Sequence, residues 1–241
     1  NTSQSETTSG PKDEVVTMAI ISTWNTLNIY NTSGNYGNCV ADQMFERLVT
    51  CTHDGEYLPR LADSWEMADD HMSMTFHLNQ NATWHDGEPL TMDDVLFTFD
   101  YNINVRKSSY SSYVDHAEQV DEDTIKVVLK EPGAYQWLKL VAGYFYVQPK
   151  HIWENIDAPK DYRGEDAVIG CGPYRFVSLD EDAQTSYYEA VSDTYLGREV
   201  TVKKVSLRSF DSNDALVMAL RNGEIDAMYS YASPIPATMA S

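Results

Sequence analysis

The chain has 241 residues, 42% of them hydrophobic, and carries a formal net charge of −20 from 17 Lys and Arg against 37 Asp and Glu. That length and apolar content can bury a substantial core, whereas so acidic a surface repels the phosphates of nucleic acid and the anionic headgroups of membranes. No stretch approaches the ~18 consecutive apolar residues that a membrane-spanning helix needs.

In chain order, residues 1–14 (NTSQSETTSGPKDE) are polar and rich in Ser and Thr, and read as a flexible tether. The apolar run Val15–Ile21 predicts a buried strand. The loop over 22–38 is long, polar and aromatic, and ordered loops of that length tend to be functional. Over Cys39–Thr50 a helical period puts Val40, Met44, Phe45, Leu48 and Val49 on one face. Residues 57–130 read mainly as strands, including Met74–Leu78 and Thr124–Leu129, with a turn at Asp86-Gly87. One helix interrupts them, opened by Thr91 with Asp94 three residues on, as in a capping box, and carrying Val95, Leu96, Phe97 and Phe99. A helix is expected over Tyr135–Ala142, an extended stretch over Tyr144–Val147, and a short helix opened by Pro149. GCGPYRFVSL then predicts a turn running into a strand, followed by strands near 185–191 and 202–209. Asp211 is the expected cap of a helix over 212–222 that Gly223 ends, and Ile225–Tyr229 the strand that leaves the lobe.

Enzyme motifs are missing. The histidines at 53, 71, 77, 85, 116 and 151 form no HExxH pattern and no zinc-like spacing with cysteine. There is no GxSxG elbow, P-loop or GxGxxG fingerprint. The HDGE of 85–88 is explained by a turn, and Asp180-Glu181-Asp182 by a solvated loop without the glycine and terminal glutamate of an EF-hand. No catalytic residue, metal or cofactor is therefore assigned. Cys39, Cys51 and Cys171 cannot all pair within the chain. If 39–51 were one helix its end cysteines would lie about 18 Å apart, too far for a disulfide, so three free thiols are expected. Sixteen tyrosines and five tryptophans are the conspicuous resource, since such rings combine stacking area with a hydrogen-bonding tip. Most are core residues, but those in a polar loop cannot all be.

Four segments in fixed order, LPRLADSWE (58–66), MTFHLNQNATWHDGEPLTMDDVLFTF (74–99), CGPYRF (171–176) and NGEIDAMYS (222–230), resemble extracellular solute-binding proteins of family 5, which serve ABC importers of peptides and, in some branches, nickel chelates or sugars. The resemblance runs from about Val15 to Tyr231. Two departures are AVSDTYLG (190–197), where the family commonly has an Asn-Pro-x-Tyr-Trp turn, and Cys171 in place of a small residue of the GxGPY turn.

The resemblance implies an α/β fold: the N-terminal lobe of a type II periplasmic-binding-protein-like architecture, with a mixed sheet and a strand-rich α+β insertion. Its domains would be a lobe core over 15–45 and 169–241, an inserted subdomain over 46–168, and a second lobe absent from this chain. It implies that a small-molecule or peptide ligand is captured between lobes and passed to ABC-transporter permease subunits, by an extracytoplasmic monomer with no nucleic-acid partner. The membrane would be met only through a lipid anchor upstream of Asn1. In the family the loop after the first strand and the strand after GEID face the cleft. Carried over, the ligand-binding candidates are Ser22, Thr23, Trp24, Asn25, Leu27 and Tyr30, then Met228, Tyr229 and Ser230, with Trp137 and Tyr144 from the insertion. A nickel-chelate or oligosaccharide receptor on the same scaffold is the first alternative, and the loop's lack of His and Arg disfavours an anionic chelate. A surface sensor or adhesin is the second.

Overall fold

A computed structural model describes residues 15–21, 26–31, 34–52, 54–132 and 145–229. The tether, the expected helix over 135–142, and candidates Ser22–Asn25, Trp137, Tyr144 and Ser230 lie outside them.

Strand β1 is Val15–Ile21, the apolar run itself. Helix α1 spans Gly34–Met44, and short strands β2 (Val49–Cys51) and β3 (Tyr57–Pro59) follow and pair antiparallel. The single helix expected over 39–50 is corrected at both ends. Gly34 and Gly37 are poor helix formers that masked the early start. The stop is tertiary: Gly172 N–H takes the Met44 carbonyl at 2.8 Å, and Val147 N–H takes that of Glu46 at 2.9 Å, drawing the chain into extended pairing. The five apolar residues of that face are all buried nonetheless. Because the helix ends at Met44, the spacing argument against a Cys39–Cys51 disulfide loses its premise, although all three cysteines are free thiols. Burial pushes the Cys39 thiol up to about 12.

The next segment builds a four-stranded antiparallel sheet from β4 (Ala62–Met67), β5 (Ser73–Leu78), β6 (Val114–Gln119) and β7 (Thr124–Leu129), in the order β4-β5-β7-β6. Helix α2 (Met92–Asp100) comes between β5 and β6 and continues through one wider π turn, Tyr101–Val105. Phe76, Val95, Phe99, Ile125, Val127 and Phe145 share one core, with the Phe99 and Phe145 rings stacked at 4.3 Å. Each such fully buried side chain contributes roughly 1.5–3 kcal/mol. Asp94, itself buried, accepts from the Thr91 N–H at 2.8 Å and the Thr91 hydroxyl at 2.9 Å, which fixes the start of α2. Its other oxygen takes the N–H of Lys150 at 2.9 Å and thereby holds helix α3 (Lys150–Trp153).

The remaining strands are β8 (Tyr174–Asp180), β9 (Thr185–Ala190), the hairpin β10 (Thr194–Tyr195) and β11 (Arg198–Glu199), β12 (Lys204–Phe210) and β13 (Ala227–Tyr229). Helix α4 (Asn213–Arg221) joins β12 to β13. Its cap is Ser212, whose hydroxyl accepts from Ala215 N–H at 3.2 Å, and not Asp211 as the sequence suggested; two acceptors side by side left the choice to backbone geometry. Gly223 ends the helix at φ +72°.

The second sheet is mixed, in the order β13-β1-β12-β9-β8, with β1 parallel to β12 and β13. Alternation along the strands sends Ile20, Tyr188, Val205 and Leu207 to one face beneath α1, where Val40 and Met44 meet them. The opposite face buries Ala19 against Leu216, Ala219 and Ile225 of the α4 segment.

The turn Gly170–Cys171–Gly172 seats on the C-terminal end of α1. His85, from the turn after β5, braces it. Its Nε2 donates to the Gly172 carbonyl at 3.0 Å, leaving Nδ1 to accept from Gly170 N–H at 3.4 Å. Tyr195 adds a hydroxyl donated to the Cys171 carbonyl at 2.7 Å. Desolvation lowers the His85 pKa below its usual 6.5, so the fold favours the neutral ring. Below that pH the unfolded chain binds a proton that the folded chain resists, and stability falls with acidification toward the folded pKa. The melting-temperature advantage of the wild type over His85→Gln is thus expected to shrink as pH drops through 6.5. A difference that stays constant between pH 8 and pH 5 would contradict this role.

Candidate functional site

Parallel pairing sets the geometry of the site. Ile20 is in register with Ser209 of β12 and with Tyr229 of β13, so three strands end at one edge of the sheet. Ile21, Phe210 and Tyr229 are the last residues of these strands, and in open α/β sheets ligands bind outside the carboxyl ends of the strands. α1 runs back with its C-terminus on the turn before β8, which places its N-terminus toward that same edge.

The candidates that fall within the described residues occupy three settings. Tyr229 is held by its backbone pairing with β1. Met228 is half-buried and packs with Ala19 and Leu216 on the α4 side. Leu27 is half-buried against the core under α1. Tyr30 lies deeper, 4% exposed, with its ring 4.6 Å from Trp153 and 5.8 Å from Tyr101, and with the Arg106 guanidinium 4.4 Å above it. Burial pushes its hydroxyl well above the usual tyrosine range, and among the described residues that hydroxyl has no hydrogen-bond partner.

Asn28 is a residue that sequence reasoning passed over. Buried at 4% exposure, its amide nitrogen donates to the carbonyls of Pro159 at 2.7 Å and Tyr162 at 3.1 Å, and its oxygen accepts from Tyr30 N–H at 2.8 Å. It staples the loop after β1 to the 159–162 turn, more than 130 residues away in sequence, and no local pattern encodes such a contact. Beside the staple, Thr26 and Leu27 border a cavity of about 490 Å³.

The residues that invited acid–base or metal readings have structural roles. Gly87 adopts φ +96° in a turn closed from Gly87 N–H to the Trp84 carbonyl at 3.0 Å. Asp86 pairs with His151 at 2.9 Å. In the acidic loop, Asp180 accepts from Ala183 N–H at 2.8 Å. Among the described residues no group of three or more His, Cys, Asp or Glu is placed to hold a metal ion.

Residues 56–240 match the family model described as bacterial extracellular solute-binding proteins, family 5 Middle. The chain belongs to this family. A relative in Agrobacterium fabrum, named Probable peptide-binding protein YejA, is 27% identical over 235 residues, covering 91% of this chain and 38% of the relative. Among solved structures, NikZ from Campylobacter jejuni in complex with Ni(L-His) superposes with a TM-score of 0.74 at 23% identity, over 90% of this chain and 43% of NikZ. DppA from Helicobacter pylori, a periplasmic binding protein in complex with the peptide STSA, superposes with a TM-score of 0.75 at 22% identity, over 90% of this chain and 46% of DppA. The fold is thus α/β and type II periplasmic-binding-protein-like, with a mixed sheet. These two likenesses establish the fold alone, and their different ligands show that the scaffold does not dictate the ligand. The chain spans less than half the length of each of these three proteins. Family 5 proteins act outside the cytoplasm, and no helix among the described residues is long and apolar enough to cross a membrane.

Proposed function

We propose that this chain is the ligand-gripping lobe of the substrate-binding component of an ABC importer, which captures oligopeptides or dipeptides between two lobes. The observation that carries this reading is the convergence of β1, β12 and β13 at one edge, in a chain of a solute-binding family with a relative named for peptide binding. Ser22, Thr23, Trp24, Asn25 and Leu27 from the first loop would grip the ligand with Met228, Tyr229 and Ser230 from the exit strand, while Tyr30, buried against Trp153 and Tyr101, would support the loop from beneath. Trp137 and Tyr144 would reach it from the insertion. Backbone hydrogen bonds along an extended peptide would give sequence tolerance, as in strand addition. Closure about a hinge would remove the ligand from water and create the form that the permease subunits recognise.

In this account the core is 15–45 and 169–241, the insertion is 46–168, and the full-length protein is an extracytoplasmic monomer, lipid-anchored ahead of residue 1. It is a receptor that breaks no bond. Trp24→Ala in the full-length protein is expected to weaken peptide affinity by about tenfold or more, as loss of a central aromatic anchor does. Unchanged affinity in a calorimetric titration would remove the first loop from the site.

A further inference from the structure

We propose that Asn81 is a glycosylation site, independent of which ligand the protein carries: its side-chain amide takes an N-linked glycan from a lipid-phosphate-linked sugar donor, and the first sugar seats in the cavity beside it. Asn81-Ala82-Thr83 is an Asn-x-Thr acceptor triplet in a protein whose family acts outside the cytoplasm, the setting in which that triplet is modified. Two further triplets, at Asn1 and Asn31, include residues outside those described.

The backbone presents the triplet as the transfer needs it. Asn81 N–H is held by Asn79 Oδ1 at 3.0 Å where the chain leaves β5. Residues 82–84 then run extended against 88–90. Leu90 N–H takes the Ala82 carbonyl at 3.1 Å, Trp84 N–H takes that of Glu88 at 2.8 Å, and Thr83 faces Pro89. Burial alternates along this stretch, with Ala82 at 6% and Trp84 at 2% exposure in the core while Asn81 and Thr83 are exposed. The acceptor amide and the hydroxyl two residues on thus share one solvent face. In the transfer Nδ2 attacks the anomeric carbon, the bond from that carbon to the lipid phosphate breaks with its electron pair on the phosphate, and Nδ2 gives up one proton.

Asn81 and Thr83 both line a cavity of about 360 Å³, a volume at the lower end of small-ligand pockets. Arg175 lines it too, with Ser192, Thr194 and Tyr195 from the stretch that departs from the family turn. The Arg175 guanidinium and the Ser192 and Thr194 hydroxyls belong to exposed residues, and such groups pair with the hydroxyls of a sugar ring. The cavity lies at the amino edge of the mixed sheet. Ala190, also in its lining, donates its N–H to the Lys203 carbonyl at 2.9 Å, one residue from Lys204, the partner of Val15. The seven residues of β1, about 20 Å at ~3.3 Å each, separate this edge from the carboxyl edge. A glycan here leaves the carboxyl edge open.

The test is peptide mapping by mass spectrometry of the full-length protein purified from the cells that naturally make it, with electron-transfer fragmentation to localise any added mass. The peptide that contains Asn81 is expected to carry one or more sugar residues on that side chain. Asn81→Gln and Thr83→Ala, made in the same cells, are expected to lose them, and Thr83→Ser to keep them, because a serine hydroxyl also completes the triplet. Hydrogen exchange over 190–196 is expected to be severalfold slower in the glycosylated protein than in Asn81→Gln. An Asn81 peptide recovered without sugar overturns the site. Sugar on Asn81 with no slowing over 190–196 overturns its seat in the cavity.

Discussion

Gly170→Ala is expected to abolish folding of the lobe. A Cβ at this position would lie 1.9 Å from the Met44 carbonyl oxygen and 2.7 Å from its carbon. Both are backbone atoms at the end of α1, so no side chain can rotate to relieve the clash. Gly172 sits in the same seat, its added Cβ 2.6 Å from the Met44 carbon and 2.7 Å from the Gln43 carbonyl oxygen, while its N–H holds the Met44 carbonyl. Overpacking a rigid contact costs typically 1–3 kcal/mol and more where backbone must move, and here the displaced backbone joins α1 to both sheets. Soluble yield and the far-ultraviolet circular dichroism spectrum check this. Gly87→Ala is the control: at φ +96° it meets open space, and only left-handed strain of about 1–2 kcal/mol is expected. A Gly170→Ala protein as stable as this control would contradict the assigned packing.

The second large effect is expected at Asp94. Its carboxylate accepts from the Thr91 N–H, the Thr91 hydroxyl and the Lys150 N–H within 2.9 Å, with the Trp84 indole N–H at 3.4 Å. Removing the acceptor leaves the buried Trp84 indole and the three part-buried donors of Thr91 and Lys150 without it, and a donor cut off from water costs about 1–3 kcal/mol. Asp94→Ala is therefore expected to destabilise by at least ~3 kcal/mol, a loss of roughly 6–12 °C in melting temperature for a domain of this size. Asp94→Asn should fall between, because one of its two polar atoms is a donor facing other donors. A loss under ~1 kcal/mol for Asp94→Ala in a denaturant titration would mean that Thr91 alone starts the helix.

The local signals were the legible ones. The apolar run of β1, the period-2 alternation of β5, the Thr91–Asp94 pair and the left-handed Gly223 were all readable, because each depends on neighbours a few residues apart. The helix around Cys39 was misplaced because its end is set by Gly172 and Val147, more than 100 residues downstream, which compete for the Met44 and Glu46 carbonyls. Asn28 was invisible for the same reason: an asparagine in a polar loop looks like turn chemistry until Pro159 and Tyr162 are folded against it. The cleft candidates came from family resemblance, since nothing in the composition of residues 22–25 distinguishes a gripping loop from a solvated one. The topology ends β1, β12 and β13 at one edge, the kind of edge at which open α/β sheets bind ligands. Ligand class is the least legible property, because closely similar folds hold Ni(L-His) in NikZ and a peptide in DppA.

Native mass spectrometry of the full-length protein, purified without refolding so that captured ligand survives, is the decisive test of peptide capture. A ladder of adducts with peptide masses is expected, one that disappears when the protein is denatured and is restored by adding back a peptide pool. A single adduct with a nickel isotope pattern or hexose spacing, or a protein that stays empty in the presence of that pool, would contradict it.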